Sequence, residues 1–297
     1  MTALAERPTA APRPPEEHRR ITRVRREKVL TVVAERSILI VLAIMFLAPL
    51  AFVLLTALMT TDQAAGPKLW PSPFHPSNFI DVFSQTGLVR ATLNTVLYAG
   101  LSTIGVIVSS LPVAYALSRL QWHGRGVAFI VVLATMMLPA QVTAVPLYVM
   151  FAKLHLVGTL WPLIIPNFFG DAFSIFLLRQ FLLTIPQEYV DAARVDGAGE
   201  WRILTRIVVP LARPAIAAVA LFSFLYAWND FFGPLLYAGE NSSAWTVSVA
   251  LSNLRGQHHV QWNLTMAATV LFMLPVIALF FAAQKVFVQG VTLTGVK

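Results

Sequence analysis

Along the chain, long apolar runs alternate with shorter polar ones. The first run, 37–59, holds 23 residues and no charge. Five more follow at about 92–118, 126–146, 158–182, 212–237 and 263–284. Each can cross a hydrocarbon layer of ~30 Å as a helix, and each is about twice as long as a spanning strand. The pattern predicts an all-α membrane protein with six transmembrane helices. Pro139 interrupts the third run, and Pro162, Pro166 and Gly170 lie inside the fourth. Two polar loops, 60–90 and 239–262, and a short amphipathic connection, 147–156, separate the runs on one side.

Composition agrees with that pattern. Of 297 residues, 57% are hydrophobic and 12% charged, with a mean hydropathy of +0.69. A soluble domain carries about 25% charged residues, so this chain lacks the polar skin of one. Without cysteine there is no disulfide, thiolate metal site or thiol nucleophile. The net charge of +8 does not point to nucleic acid, because nine of the 22 Lys and Arg fall in residues 1–36, beside the first apolar run. Assigning alternate connections to alternate sides places 18 of the 22 on one side. By the positive-inside rule, both termini and the segment 184–210 face the cytoplasm. Residues 1–36 form a basic tail ahead of a membrane domain, 37–297. Residues 1–20 are expected to be disordered. Residues 21–36 suit either a helix on anionic lipid or a flexible flank. The first run is too long for the core of a cleavable signal peptide.

The segment 184–214 is the anomaly. Between two apolar runs it carries both charge signs and a glycine-containing turn, Asp196-Gly197-Ala198-Gly199. Thr184 and Gln187 have capping-box spacing with Pro186 between them, so a helix is expected from about Pro186 to Val195. Asp196 is expected to cap a second helix from Glu200 to about Val209, ending near Pro210. Small residues, Ala192, Ala193, Gly197 and Ala198, cluster at the bend. Such a helix–turn–helix outside the membrane is either an ordinary solvated loop or a surface that another protein approaches closely.

Polar residues at membrane depth are costly, which makes them candidates for a solute pathway. Asn167 and Asp171 lie beside Pro166 and Gly170, where a helix can unwind onto a cavity. Asn94 and Thr95 in the second run, and Gln141 in the third, are weaker candidates. Trp228, Asn229 and Asp230 combine an aromatic face with amide and carboxylate groups, as a sugar-conducting cavity would. Each also has a purely structural reading, as packing kink, inter-helix bond or belt residue. Gly105 and Ser109 read as a helix contact. His258 and His259 adjoin in a loop without further ligands, so no metal site is expected. There is no phosphate-binding G-x-x-x-x-G-K-[ST], H-E-x-x-H or nucleophile elbow, and no enzyme is expected.

Asp191-Ala192-Ala193, three residues, Gly197, nine residues, then Ile207-Val208-Val209-Pro210 resembles the EAA motif of ABC importer permeases. Asp replaces Glu at 191 and Val replaces Leu at 209. The stretches "AFSIFLLRQFLLTIPQEYVDAARVDGA", "FLYAWNDFFGPLLY" and "GVTLTGVK" resemble the maltose-type carbohydrate branch. The resemblance covers about 37–297. It implies that 186–205 is a coupling helix seated in a separate ABC ATPase dimer, which binds ATP and Mg while this chain holds no cofactor. Glu188, Asp191, Ala192, Ala193, Asp196, Gly197, Ala198, Ile207 and Pro210 would carry the joint, with Gly295, Val296 and Lys297 reaching the ATPase by analogy. It also implies a second, related permease subunit, an extracytoplasmic substrate-binding protein, surrounding membrane lipid, and residence in a bacterial or archaeal cytoplasmic membrane. The expected cargo is a sugar or oligosaccharide. Alternatives are a polyol or phosphorylated glycerol compound, or an ion-coupled secondary transporter.

Overall fold

A computed structural model describes residues 15–85, 87–256 and 260–292, with side chains for 31–84, 87–254 and 260–284. Residues 1–14, His258, His259 and the tail triplet Gly295, Val296 and Lys297 lie outside the described residues. Helices dominate, and no strand occurs among the described residues. Four helical stretches are long and apolar enough to cross a membrane: Thr31–Ala57, Leu88–Ser118, Trp161–Thr184 and Trp262–Gln284. Two bent pairs raise the number to six if each is one span.

The chain divides into two compact units, Met1–Leu54 and Leu55–Lys297. The first holds most of helix α1, Pro15–Ala57. Residues 15–20, expected to be disordered, therefore belong to a helix. Pro15 occupies the first helical position, where its missing N–H costs nothing, and no glycine interrupts 16–57.

The second unit is built around α2, Leu88–Ser118, whose 31 residues rise about 46 Å. Its buried face includes Ala91, Ala99, Ser102, Gly105, Ser110 and Ala114, small residues that let neighbours approach closely. A Cβ on Gly105 would lie 2.7 Å from the Phe168 ring, so the predicted helix contact is made there by a glycine. The hydroxyls of Thr95, Thr103 and Ser109 donate to carbonyls one turn back, satisfying themselves in an apolar setting.

The third run is two helices, α3 (Arg125–Thr135) and α4 (Ala140–Lys153), meeting at 91°. Pro139 is extended and begins α4, whereas Pro146 inside it is tolerated. The expected separate connection at 147–156 is thus mostly a continuation of α4. The fourth run unwinds where its prolines and glycine foretold. A short helix, Trp161–Ile164, passes through a tight turn, Ile165–Phe169, to Gly170 at φ +97°. Then α5, Ala172–Thr184, begins. After the polar segment, α8 (Arg213–Asn229) stops at Asp230, short of the expected 237, and α9 (Phe232–Ala238) follows. The reason is local: the Asp230 carboxylate accepts from the Gly233 amide at 3.1 Å and draws the chain into a new start. Helices α10, Val247–Gly256, and α11, Trp262–Thr292, complete the unit. The polar segment itself contributes α6, Glu188–Val195, and α7, Glu200–Leu211.

Candidate functional site

The polar segment folds into a bend closed by its own backbone. Helix α6 ends in a paired closure: the Ala198 amide donates to the Ala193 carbonyl (2.9 Å) and the Gly197 amide to Arg194 (3.0 Å). This geometry places Gly197 at φ +77°, which glycine adopts without a Cβ penalty. Two expectations about the caps are corrected. Asp196 closes α6 rather than capping α7, whose N-cap is Gly199 with no side-chain bond. Thr184 ends α5, donating to the Phe181 carbonyl, and α6 starts at Glu188 rather than Pro186. The cause is Pro186, which favours extended backbone at Ile185 (ψ 132°) and so delays the helix.

The bend has two faces. Val190, Ala193, Ile203, Leu204 and Val208 are buried in an apolar cluster with Tyr115 of α2, Leu178 and Leu182 of α5 and Val219 of α8. The other face is open. Glu188, Asp191, Ala192, Asp196 and Gly197 are exposed there. So are Val195, at 88%, and Trp201, at 70%. These two large apolar groups are left uncovered by this chain. A Cβ at Gly197 or Gly199 would meet nothing within 4 Å in this chain. Glu188 to Ala198 thus gather at one bend, while Ile207 and Pro210 lie farther along α7. Ile207 packs on the apolar cluster and Pro210 is exposed.

Side chains on the bend form a closed chain of polar contacts. Arg119, just past α2, donates to Gln187 Oε1 at 2.7 Å and also to the carbonyls of Leu182 and Ile185. Gln187 donates to Asp191 at 3.2 Å. Arg194 donates to Asp191 at 3.1 Å and to Glu200 at 2.9 Å. Glu200 accepts in turn from the Tyr115 hydroxyl. Tyr115 and Arg119 are one turn apart on α2, which closes the ring. The hydrogen bond from Arg194 holds the Glu200 carboxyl below its usual range, and the same contact pushes Arg194 upward. A cavity of about 640 Å³ opens beside the ring, lined by Arg119, Leu120, Gln121, Trp122, Arg194 and Glu200. Sequence reasoning misses Tyr115, Arg119, Arg194 and Glu200 as a unit.

The pathway candidates separate into two groups. Asn94 is buried and donates to the carbonyls of Ser243 and Trp245, both at 2.9 Å, tying α2 to a loop. Trp228, 2% exposed, is stacked between Phe224 and Phe272 and donates to the Phe272 carbonyl. Both are held inside the bundle. Asn167 and Asp171 sit at the break in the fourth span. Asn167 donates to Ser102 (3.2 Å) and Leu163 (2.7 Å), while Asp171 caps α5 by accepting from the Ser174 amide and hydroxyl. Asp230 accepts from Tyr98 of α2 at 2.9 Å. Asn229 is exposed and shares a helical face with Phe222 and Tyr226, at positions i, i+4 and i+7. Tyr226 is 72% exposed, and the Phe173 ring meets Phe222 edge-on at 6.0 Å. The face therefore mixes aromatic rings with amide and hydroxyl groups. Its spacing was readable in the sequence, but only Asn229 was singled out. No cluster of three His, Asp or Glu suited to a metal occurs among the described residues.

A family profile described as "Binding-protein-dependent transport system inner membrane component" matches residues 103–293. The chain belongs to this family. The match takes in the bend, the ring and both pathway groups of this transport component except Asn94. Among curated relatives, the osmoprotective compounds uptake permease protein GgtD of Synechocystis is 34% identical over 75% of this chain and 76% of its own length. The arabinooligosaccharides transport system permease protein AraQ of Halalkalibacterium halodurans is 33% identical over 76% and 81%. A chain of a solved bacterial ABC transporter involved in importing the acidic polysaccharide alginate shares the fold. Its TM-score is 0.77 at 23% identity, covering 88% of this chain and 97% of that one.

Proposed function

We propose that this chain is the transmembrane permease subunit of an ATP-driven importer of a sugar or oligosaccharide. It works with a second permease subunit, an ABC ATPase dimer that binds ATP and Mg, and an extracytoplasmic binding protein. Both termini and the bend 186–205 face the cytoplasm, as the distribution of Lys and Arg favours. The observation that carries the proposal is the open face of the bend, where Val195, Trp201 and a left-handed Gly197 stand clear of the chain's own packing. ATP closes the ATPase dimer, the bend moves with it, and the spans alternate between outward and inward access. No bond is made or broken in this chain.

Sugar is favoured over other solutes by the face of Phe222, Tyr226 and Asn229, since aromatic rings stack on sugar C–H faces and amides bind hydroxyls. The relatives named for arabinooligosaccharides and for alginate are consistent with that class. An ion-coupled transporter would need free carboxylates at membrane depth. Asp171 and Asp230 instead accept hydrogen bonds from Ser174, and from Tyr98 and Gly233. The test is to purify the chain from its host membrane and measure ATP hydrolysis against a sugar panel. Co-elution of an ATPase and a second membrane chain, with hydrolysis stimulated by one sugar, is expected. Ion-gradient-driven uptake by this chain alone in liposomes would overturn the proposal.

A further inference from the structure

Helix α2 touches both halves of the machine. At one end, Tyr115 and Arg119 hold Glu200 and Gln187 on the two arms of the bend. Among the described residues, every hydrogen bond from a side chain of the bend to a residue outside 186–211 ends on one of these two. Toward its middle, α2 holds the broken fourth span. Ser102 accepts from Asn167, the Ser109 hydroxyl shares its proton between the Gly105 carbonyl at 2.7 Å and the Asn167 carbonyl at 3.1 Å, and Ser110 accepts from the Asp171 amide at 3.1 Å. Farther along, Tyr98 donates to Asp230 at the break after α8. From Tyr115 to Tyr98 is about 25 Å of one helix, continuous through Pro112 near its Tyr115 end.

We propose that α2 is the rod that carries motion of the bend to the two breaks in the pathway, with Tyr115 and Arg119 as its positioning residues. The bend is joined covalently to α5 and α8 and packs on both through the apolar cluster, which lacks the directionality of hydrogen bonds, and the covalent connections themselves are weak transmitters. One passes through extended Ile185 and Pro186, and the other through the 80° corner between α7 and α8. The polar ring bypasses both. Arg119 also fills the last carbonyls of α5, so the entry to the bend is fixed to α2 rather than to the loop beside it. Tyr115 and Arg119 are 3% and 6% exposed, so little of either is open to a partner. Docking and transmission therefore reside in different residues.

The test rests on the proposed ATPase partnership and is designed to fail separately from it. The full complex is reconstituted in proteoliposomes with its binding protein, and solute imported per ATP hydrolysed is measured. Tyr115→Phe removes one hydroxyl. It is expected to keep the ATPase bound with only a small loss of heat stability, while solute per ATP falls roughly tenfold, the scale of a hydrogen bond to a charged group. A second variant, Glu200→Leu, keeps the Arg194–Asp191 contact but offers Tyr115 no carboxylate. It is expected to uncouple likewise. Wild-type solute per ATP in either variant overturns the proposal. Loss of the ATPase from Tyr115→Phe also overturns it, because the hydroxyl would then serve docking. If the unmodified chain binds no ATPase, the proposed function fails instead.

Discussion

Substituting Gly197 separates the strain of the bend from the surface it presents. Its φ is +77°, and a Cβ there meets nothing within 4 Å. Alanine therefore adds only the strain of an L-residue in left-handed backbone, about 1–2 kcal/mol. Tryptophan adds the same strain and an indole. With open space around the site, the indole projects outward from the exposed face that carries Val195 and Trp201. Blocking the hot region of a docking surface is worth at least about 2 kcal/mol, or about thirtyfold in affinity. Both variants should insert and fold, with matching small losses of heat stability. Gly197→Ala should retain uptake, whereas Gly197→Trp should lose it while the ATPase still hydrolyses ATP at its basal rate. The assay is thermal unfolding, ATPase activity and solute uptake on the same reconstituted complexes. Normal uptake by Gly197→Trp would refute the docking face, and equal loss in both variants would trace the defect to backbone strain.

Tyr226→Ala should raise the sugar concentration for half-maximal uptake by about threefold to tenfold, and Tyr226→Phe should not, if the ring face does the binding. Equal effects of the two would assign the contact to the hydroxyl. Trp228→Ala empties a buried aromatic stack and should destabilise the fold by about 3–5 kcal/mol. A loss below about 1 kcal/mol by thermal unfolding would deny it that core role. Glu200 has a depressed native pKa because of Arg194. Its stabilising share is fully present above the ordinary glutamate value of about 4.3 and disappears as pH falls through the lower native value. Glu200→Gln should flatten the heat stability of the complex across that acidic window, and an unchanged slope would remove Glu200 from the ring's energetics.

The spans were legible because twenty or so uncharged residues leave few alternatives in a bilayer. The break in the fourth span was legible because Pro166 and Gly170 act locally. The bend was legible as a turn, from Asp196 to Gly199, but its caps were not. Competition between Gly197 closing α6 and Asp196 opening α7 is decided by backbone geometry that composition does not encode. The fifth span ended early because Asp230 found the Gly233 amide, a local contact hidden in an apolar stretch. The polar ring was wholly illegible. Tyr115 and Glu200 are 85 positions apart, and neither stands in a pattern that names the other.

What the ring explains is why a chain so apolar keeps an arginine and a tyrosine buried where α2 ends. A buried guanidinium is costly unless its donors are satisfied. Arg119 meets that requirement at its two terminal nitrogens, with two backbone carbonyls and the Gln187 side-chain oxygen at the entrance of the bend, while its buried Nε has no partner among the described residues. An apolar residue there would remove a donor from the Leu182 and Ile185 carbonyls, of which Leu182 would keep only the Ile185 amide. It would also leave the start of α6 held by apolar packing alone. Buried polar contacts of this kind add little net stability but fix one arrangement over others. For a joint that must pass a displacement onward rather than absorb it, a unique arrangement is the property that matters. The same logic applies at the far end of α2, where Tyr98 and the three serines hold Asp230, Asn167 and Asp171 in single positions.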